Sequence, residues 1–110
     1  MDLPAAEFDW DRGNLEKCRQ HSLATAEVEG VFRRLLWLLP DPAHSRGEER
    51  FKAIGVDSKG RHVFVAFTLR EGPDGALIRP ISARYMHEKE VRHYESEKKK
   101  AEKAARPQNR

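Results

Sequence analysis

The segment His62–Arg70 is apolar at both alternating sets of positions: Val63, Val65 and Phe67 on one side, Phe64 and Ala66 on the other. Side chains of a strand point alternately to the two faces of a sheet. A strand apolar on both faces belongs in the middle of a sheet, not at its edge. The chain must therefore supply neighbours for it, and candidates flank it directly. Glu49–Val56 reads as a strand, and Asp57-Ser58-Lys59-Gly60 as the hairpin turn between them. Gly72-Pro73-Asp74-Gly75 is a second turn, followed by a strand over Leu77–Arg84. Pro80 lies within that strand. It lacks a backbone N–H, so an edge position or a bulge is expected there.

Upstream the apolar period is helical. Val28, Val31, Phe32 and Leu35 stand at i, i+3, i+4 and i+7, which predicts a helix over about Thr25–Arg34. An earlier helix ends near Gln20, its first turn capped by Asp11 or Asn14. The two form a hairpin turning near Ser22. Phe8-Asp9-Trp10-Asp11 alternates as a short edge strand or an extended lead-in would, after a loose start at Met1–Glu7. Leu36–Leu39 is a short buried-type run, closed by Pro40-Asp41-Pro42, whose prolines open a loop through His44 and Ser45. From about His87 the chain is helical again, until Pro107. Val91, Tyr94, Ala101 and Ala105 share a thin apolar face, so packing is expected only through about Tyr94–Glu97. The expected fold class is α+β: two N-terminal helices packed on an antiparallel sheet, and a closing C-terminal helix. One sheet face lies under the helices and the other is free to carry a site. One domain is expected over residues 1–97, with a lysine-rich tail at 98–110.

Composition narrows the classes. At 110 residues the chain suits one domain, and it is 35% charged and 38% hydrophobic. The longest apolar run, Leu35–Leu39, is far short of the ~20 residues that span a bilayer. No signal peptide is expected from an N-terminus carrying Asp2, Glu7 and Asp9, so the expected compartment is the cytoplasm. The single cysteine, Cys18, excludes an internal disulfide and reads as a buried thiol. The net charge is +3, and residues 86–110 hold 8 Lys/Arg against 5 Asp/Glu. The excess positive charge sits in the C-terminal segment, and with acids gathered in the first 30 residues and Arg70, Arg79 and Arg84 further on, a polyanion would be met by the second half of the chain.

The chemistry-bearing segment is His44-Ser45-Arg46-Gly47-Glu48-Glu49-Arg50-Phe51. It places an imidazole, two carboxylates and two guanidiniums on one loop entering a strand. Histidine can move protons near neutral pH, a carboxylate can orient it or act as a base, and arginine can hold a phosphate at two points. A solvated loop with local ion pairs is the plain alternative. Arg70, Arg79, Ser82 and Arg84 form a second set on neighbouring strands. Strict alternation puts Ser82 and Arg84 on one face and Arg79 on the other, unless Pro80 causes a bulge. One of these arginines could instead pair structurally with Glu49 or Asp11. His21 suits a helix C-terminus. Trp10 and most other aromatics read as core. His62, His87 and His93 lie on separate elements without metal-ligand spacing, so neither a metal site nor a cofactor is expected. The lysine run 98–100 reads as a solvated face.

Phe8-Asp9-Trp10-Asp11, Gly13-Asn14, Lys17-Cys18 and His21 together resemble the opening of the BrnT toxin family. His44-Ser45, Glu49-Arg50-Phe51, Ile54-Gly55, Gly60-Arg61, Arg70, Ile81-Ser82-Ala83-Arg84, Glu90 and Tyr94 continue that pattern. The resemblance covers about residues 8–95; the lysine-rich segment lies outside it. It implies a RelE-like fold and a toxic ribonuclease of a type II toxin–antitoxin system. It also implies neutralisation by a BrnA-type DNA-binding antitoxin, with operator DNA met only through that antitoxin and no membrane partner. The pattern departs at the helix turn, His21-Ser22 in place of His-Gly, and at Ala24 in place of a capping serine, where Thr25 could cap one residue late.

The expected activity is metal-independent endoribonucleolytic cleavage of RNA that inhibits translation and growth. His44 and Glu49 are the candidate base and acid, in either order. Arg50, Arg70 and Arg84 are expected to hold the phosphate, and Arg79, Ser82 and Arg61 to bind substrate. The antitoxin is expected over the arginine-bearing face, with the final helix as a second contact. The alternatives are a non-enzymatic RNA- or partner-binding module and an inactive toxin acting as corepressor with its antitoxin.

Overall fold

A computed structural model describes residues 7–105. The chain runs β1 (Glu7–Phe8), α1 (Arg12–Arg19), α2 (Thr25–Arg33), β2 (Leu35–Pro40), a single 3-10 turn at Pro42–His44, β3 (Phe51–Val56), β4 (His62–Gly72), β5 (Gly75–Tyr85) and α3 (Glu88–Ala105). The five strands form one sheet in the order β1-β5-β4-β3-β2. β4 is central, as its two apolar faces require. The class is α+β, but the sheet is mixed rather than antiparallel. β1 runs parallel to β5, pairing Glu7 with Leu77 and Phe8 with Ile78. The run at Leu36–Leu39 is itself a strand, β2, which forms the far edge against β3. β3 starts at Phe51 rather than Glu49, because the loop before it is tied to itself and to β2's end. Pro107 and Met1–Ala6 lie outside the described residues.

The register assigns the two faces, because directly opposed residues share one. On the first face Phe51, Ala53, Val63, Val65, Phe67, Ile78 and Ala83 are buried beneath α1 and α2, with Cys18, Leu23, Val28 and Val31 above them. Phe67 is at the centre, edge-on to Phe32 at 5.1 Å and stacked with Phe51 at 5.4 Å. Each such large apolar side chain, taken fully out of water, stabilises by about 1.5–3 kcal/mol. Gly55 lets α2 approach: a Cβ there would lie 2.6 Å from the Val31 carbonyl and 2.8 Å from that of Arg34.

α1 is tied at both ends of its first turn. Asp11 accepts from the Asn14 N–H at 3.1 Å, and Asn14 Oδ1 accepts from the Asp11 N–H at 2.7 Å. Both candidate caps therefore act, as a reciprocal pair. Buried Asn14 also donates to the Pro80 carbonyl at 2.8 Å, joining α1 to β5. The turn after α1 puts Ser22 at φ +63, a conformation that costs a non-glycine residue about 1–2 kcal/mol. α2 starts with Ala24 as its cap and no side-chain cap bond; Thr25 is already helical, so it does not cap.

The second face is not free. α3 lies against it through Tyr94, which is 5% exposed and packs on Trp37 at 5.5 Å and His62 at 6.0 Å. Glu97 and Lys98 are half-buried, and residues 99–105 are exposed while remaining helical. Packing thus ends where the thin apolar face does. No helix among the described residues is long and apolar enough to cross a membrane.

Candidate active site

Pro80 produces a bulge. Ser82 opposes Ala66 and Pro80 opposes Phe67, leaving Ile81 as the extra residue on β5. Beyond it the alternation is inverted, so Arg79 opposes Thr68, and Arg84 opposes Phe64. Thr68, Ala66 and Phe64 share the second face, as does Arg70. The bulge therefore brings Arg79 onto the face of Ser82, Arg84 and Arg70, where strict alternation would have separated it.

The loop between β2 and β3 closes over one end of this face. Asp41 is buried, and its N–H donates to the Arg50 carbonyl at 2.8 Å. Ser45 Oγ donates to the Asp41 carbonyl at 2.8 Å and accepts from the Arg50 N–H at 2.9 Å. Thr68 Oγ1 donates to the Glu49 carbonyl at 2.6 Å. These bonds pin the loop across β2, β3 and β4. They also set His44 three residues after Asp41, its Nδ1 2.9 Å from the Asp41 carboxylate. The imidazole side chain is 69% exposed, so Nε2 faces solvent. Lys52 Nζ is 4.0 Å from the same carboxylate. An imidazole held at Nδ1 by a buried carboxylate has a fixed orientation. Asp41 was not among the residues expected at the site. Its signal was the i, i+3 spacing to His44 across a proline-started turn.

Every arginine of the strand set has a carboxylate partner. Arg70 meets Glu48 at 3.1 Å, at the loop end of β4. Arg79 meets Asp11 at 2.8 Å and Asp9 at 3.5 Å, so the structural pairing with Asp11 is real. The Asn14 N–H and Arg79 hold the Asp11 carboxyl below its ordinary range. Arg84 meets Glu90 at two points, 2.7 and 2.8 Å. Arg84 and the His87 N–H together pull the Glu90 carboxyl down to about 2. Glu49 is exposed and its carboxylate has no partner among the described residues.

Arg70, Arg79, Ser82, Lys52 and Arg84 thus lie along one face, but not at one point. Arg84 is six residues from Arg70 by β4 register, roughly 20 Å at the rise of a strand. His44, Glu49, Arg50 and Arg70 gather at the loop end. Arg84 lines a groove of about 570 Å³ between α3 and the sheet, floored by Trp37, Leu39, Ile54 and Phe64. Arg61 stands apart, stacked 3.9 Å over the Tyr85 ring on the opposite side of the sheet. Trp10 is half-buried against the core, its indole N–H donating to Glu29 at 2.9 Å. Cys18 is buried, and burial pushes its thiol up. Among the described residues, no three His, Cys, Asp or Glu side chains cluster as metal ligands would.

No curated protein matches the chain. A family model described as a ribonuclease toxin, BrnT, of type II toxin–antitoxin systems matches residues 10–90. That span holds the loop, all three paired arginines and, Asp9 apart, the carboxylates that face them, and it is well over half of the chain. The chain belongs to the BrnT family of ribonuclease toxins.

Proposed function

We propose that this toxin is an endoribonuclease that cleaves RNA without a metal, by attack of a 2′-hydroxyl on the adjacent phosphorus. The observation that carries the reading is the Asp41–His44 pair at 2.9 Å with its imidazole open to solvent. Nε2 of His44 takes the 2′-hydroxyl proton as the 2′-oxygen bonds to phosphorus. The 5′-oxygen leaves with a proton supplied by Glu49 or by water. The products are a 2′,3′-cyclic phosphate and a free 5′-hydroxyl. Proton transfers of this kind contribute about 10²–10⁴-fold each. Arg50 and Arg70 hold the reacting phosphate, whose charge grows in the transition state. Arg79, Ser82 and Arg84 grip the flanking backbone along the same face. The Arg70–Glu48 pair is exposed, and such pairs are worth about 0–1 kcal/mol, so a phosphate displaces the carboxylate cheaply.

The same reading gives a RelE-like toxin domain over residues 1–97. It acts on cytoplasmic RNA, stops translation and growth, and is neutralised by a BrnA-type antitoxin that carries the contact with operator DNA. The purified protein, incubated with RNA in chelator, is the test. Fragments ending in 2′,3′-cyclic phosphate, lost in His44→Ala, support the reading. Intact RNA with soluble, folded protein overturns it in favour of a binding module.

A further inference from the structure

α3 carries a feature that the catalytic reading does not use. An α-helix turns about 100° per residue. Projected on that basis, Lys89, Arg92, Ser96, Lys99, Lys100 and Lys103 fill one sector of about 100° on the side opposite Tyr94. Five of these six residues are cations and none is a carboxylate. The acids of the helix fall outside the sector: Glu88, Glu95 and Glu102 along one margin, Glu90 and Glu97 along the other. Lys98 belongs to neither, since its ammonium folds back 5.9 Å from the Tyr94 ring. The lysine run is therefore split, one residue serving the anchor and two joining the stripe.

The stripe has no structural task. All five cations are exposed. Arg92 pairs with Glu88 at 2.9 Å and Lys100 with Glu97 at 3.4 Å, both within the helix and both solvent-facing. Such pairs exchange readily for another anion. Beyond Lys98 the helix is exposed at every residue through Ala105, yet its charge stays sorted by face. The stripe runs over the 15 residues from Lys89 to Lys103, about 21 Å of helix. At its near end Lys89 lines the same groove as Arg84. It continues the cationic sheet face outward along α3, past the matched residues 10–90.

We propose that this stripe is a second RNA-binding surface, a sequence-independent rail that holds the phosphate backbone of the substrate beside the site. The inference rests on RNA being what the site takes. Regularly spaced cationic side chains on an exposed helix face suit phosphates rather than bases. Lysine and arginine neutralising phosphates release counterions, so the rail must show itself in salt dependence.

The test is anisotropy of a short fluorescein-labelled 2′-O-methyl RNA of mixed sequence with the full-length protein. That RNA cannot be cleaved through its 2′-oxygen, so binding is read apart from chemistry. Wild type is compared with the variant Arg92→Gln/Lys99→Gln/Lys100→Gln/Lys103→Gln, since glutamine keeps helix propensity. Four lost phosphate contacts lower the salt slope by about 2.8, so between about 50 and about 200 mM salt the wild type loses roughly 50-fold more affinity than the variant. Equal slopes and affinities within twofold overturn the rail. Circular dichroism and cleavage of a dinucleotide substrate check that fold and site persist in the variant. A wild type that binds with the steep slope but never cleaves keeps the rail and sinks the ribonuclease mechanism. Cleavage with an unchanged slope in the variant does the reverse.

Discussion

The guanidinium of Arg84 and the carboxylate of Glu90 meet at two points, Nη1 to Oε1 at 2.7 Å and Nη2 to Oε2 at 2.8 Å. The pair, itself partly exposed, joins the end of β5 to the first turn of α3, and Tyr94 is the one buried residue of that helix among the described residues.

That pairing makes the seating of α3 dependent on acid. The Glu90 carboxyl is held at about 2, below its ordinary 4.5, chiefly by the hydrogen bond from Arg84. A depressed carboxyl contributes stability that is fully present above the unfolded value and lost as pH falls through the folded one. The contact is expected to persist above pH 4.5 and to weaken progressively towards pH 2. The Trp37 indole signal in proton–nitrogen spectra reports it, because Trp37 packs on Tyr94. Glu90→Gln should remove that titration from the signal; a shift that survives the substitution would refute the assignment.

Removing the arginines separates binding from folding. Arg70→Ala and Arg84→Ala are expected to abolish growth inhibition on induced expression. Both guanidiniums are partly exposed, and loss of such pairs costs about 1 kcal/mol or less. Melting temperatures should therefore fall by no more than roughly 4–8 °C, leaving both variants folded. A folded Arg84→Ala protein that cleaves RNA at the normal rate would remove that residue from the site.

His44→Ala is expected to slow cleavage by about 10²–10⁴-fold with little loss of stability, since the ring is exposed. Asp41→Asn keeps the shape of the loop but not the charge beside Nδ1, so a smaller loss of rate is expected. Initial rates on one RNA, measured for both variants at one pH, give the comparison. Equal rates in Asp41→Asn and wild type would reduce Asp41 to a loop pin.

Gly55→Ala is expected to destabilise the fold by about 1–3 kcal/mol, the usual cost of forcing extra atoms into a packed core. The clash is with backbone carbonyls of α2, 2.6 and 2.8 Å away, which cannot swing aside. A loss of 1 kcal/mol lowers the melting temperature of a domain this size by roughly 4–8 °C. An unchanged melting temperature would mean that α2 moves freely over β3.

Ser22→Gly should work in the opposite direction. The left-handed turn costs serine about 1–2 kcal/mol. Glycine gives back about 0.4–1 kcal/mol through its freedom in the unfolded chain. A net stabilisation of about 0.5–1 kcal/mol is expected in denaturant titration, with activity unchanged.

Local chemistry made much of this legible. The both-sided apolar pattern placed β4 in the centre, the glycine-rich turns placed both hairpins, and Asp11 with Asn14 placed the start of α1. Two strands were only partly legible, an edge strand at Phe8 being one of two readings there. β1 is two residues long, too short for a period to show. β2 is apolar almost throughout, with a proline at its end, and such a run fits a strand or a buried helix equally. The loop residues His44, Glu49 and Arg50 stood out by type, but Asp41 did not, because its value lies in burial and in a partner three residues on. The partners of Arg70 and Arg84, Glu48 and Glu90, follow from how the loop and α3 fold back, which no local spacing encodes.

The extra residue Ile81 gives the β4–β5 hairpin a parity. Lengthening or shortening both strands together at the turn, pair by pair, leaves the residues nearer the sheet's middle where they are. Deleting Ile81 alone changes an odd count to an even one on a single strand. Arg79 would then swing beneath α1, an arginine would enter the apolar layer, and the cationic face would lose a member although no charged residue had been replaced. In this hairpin the number of residues matters as much as their identity.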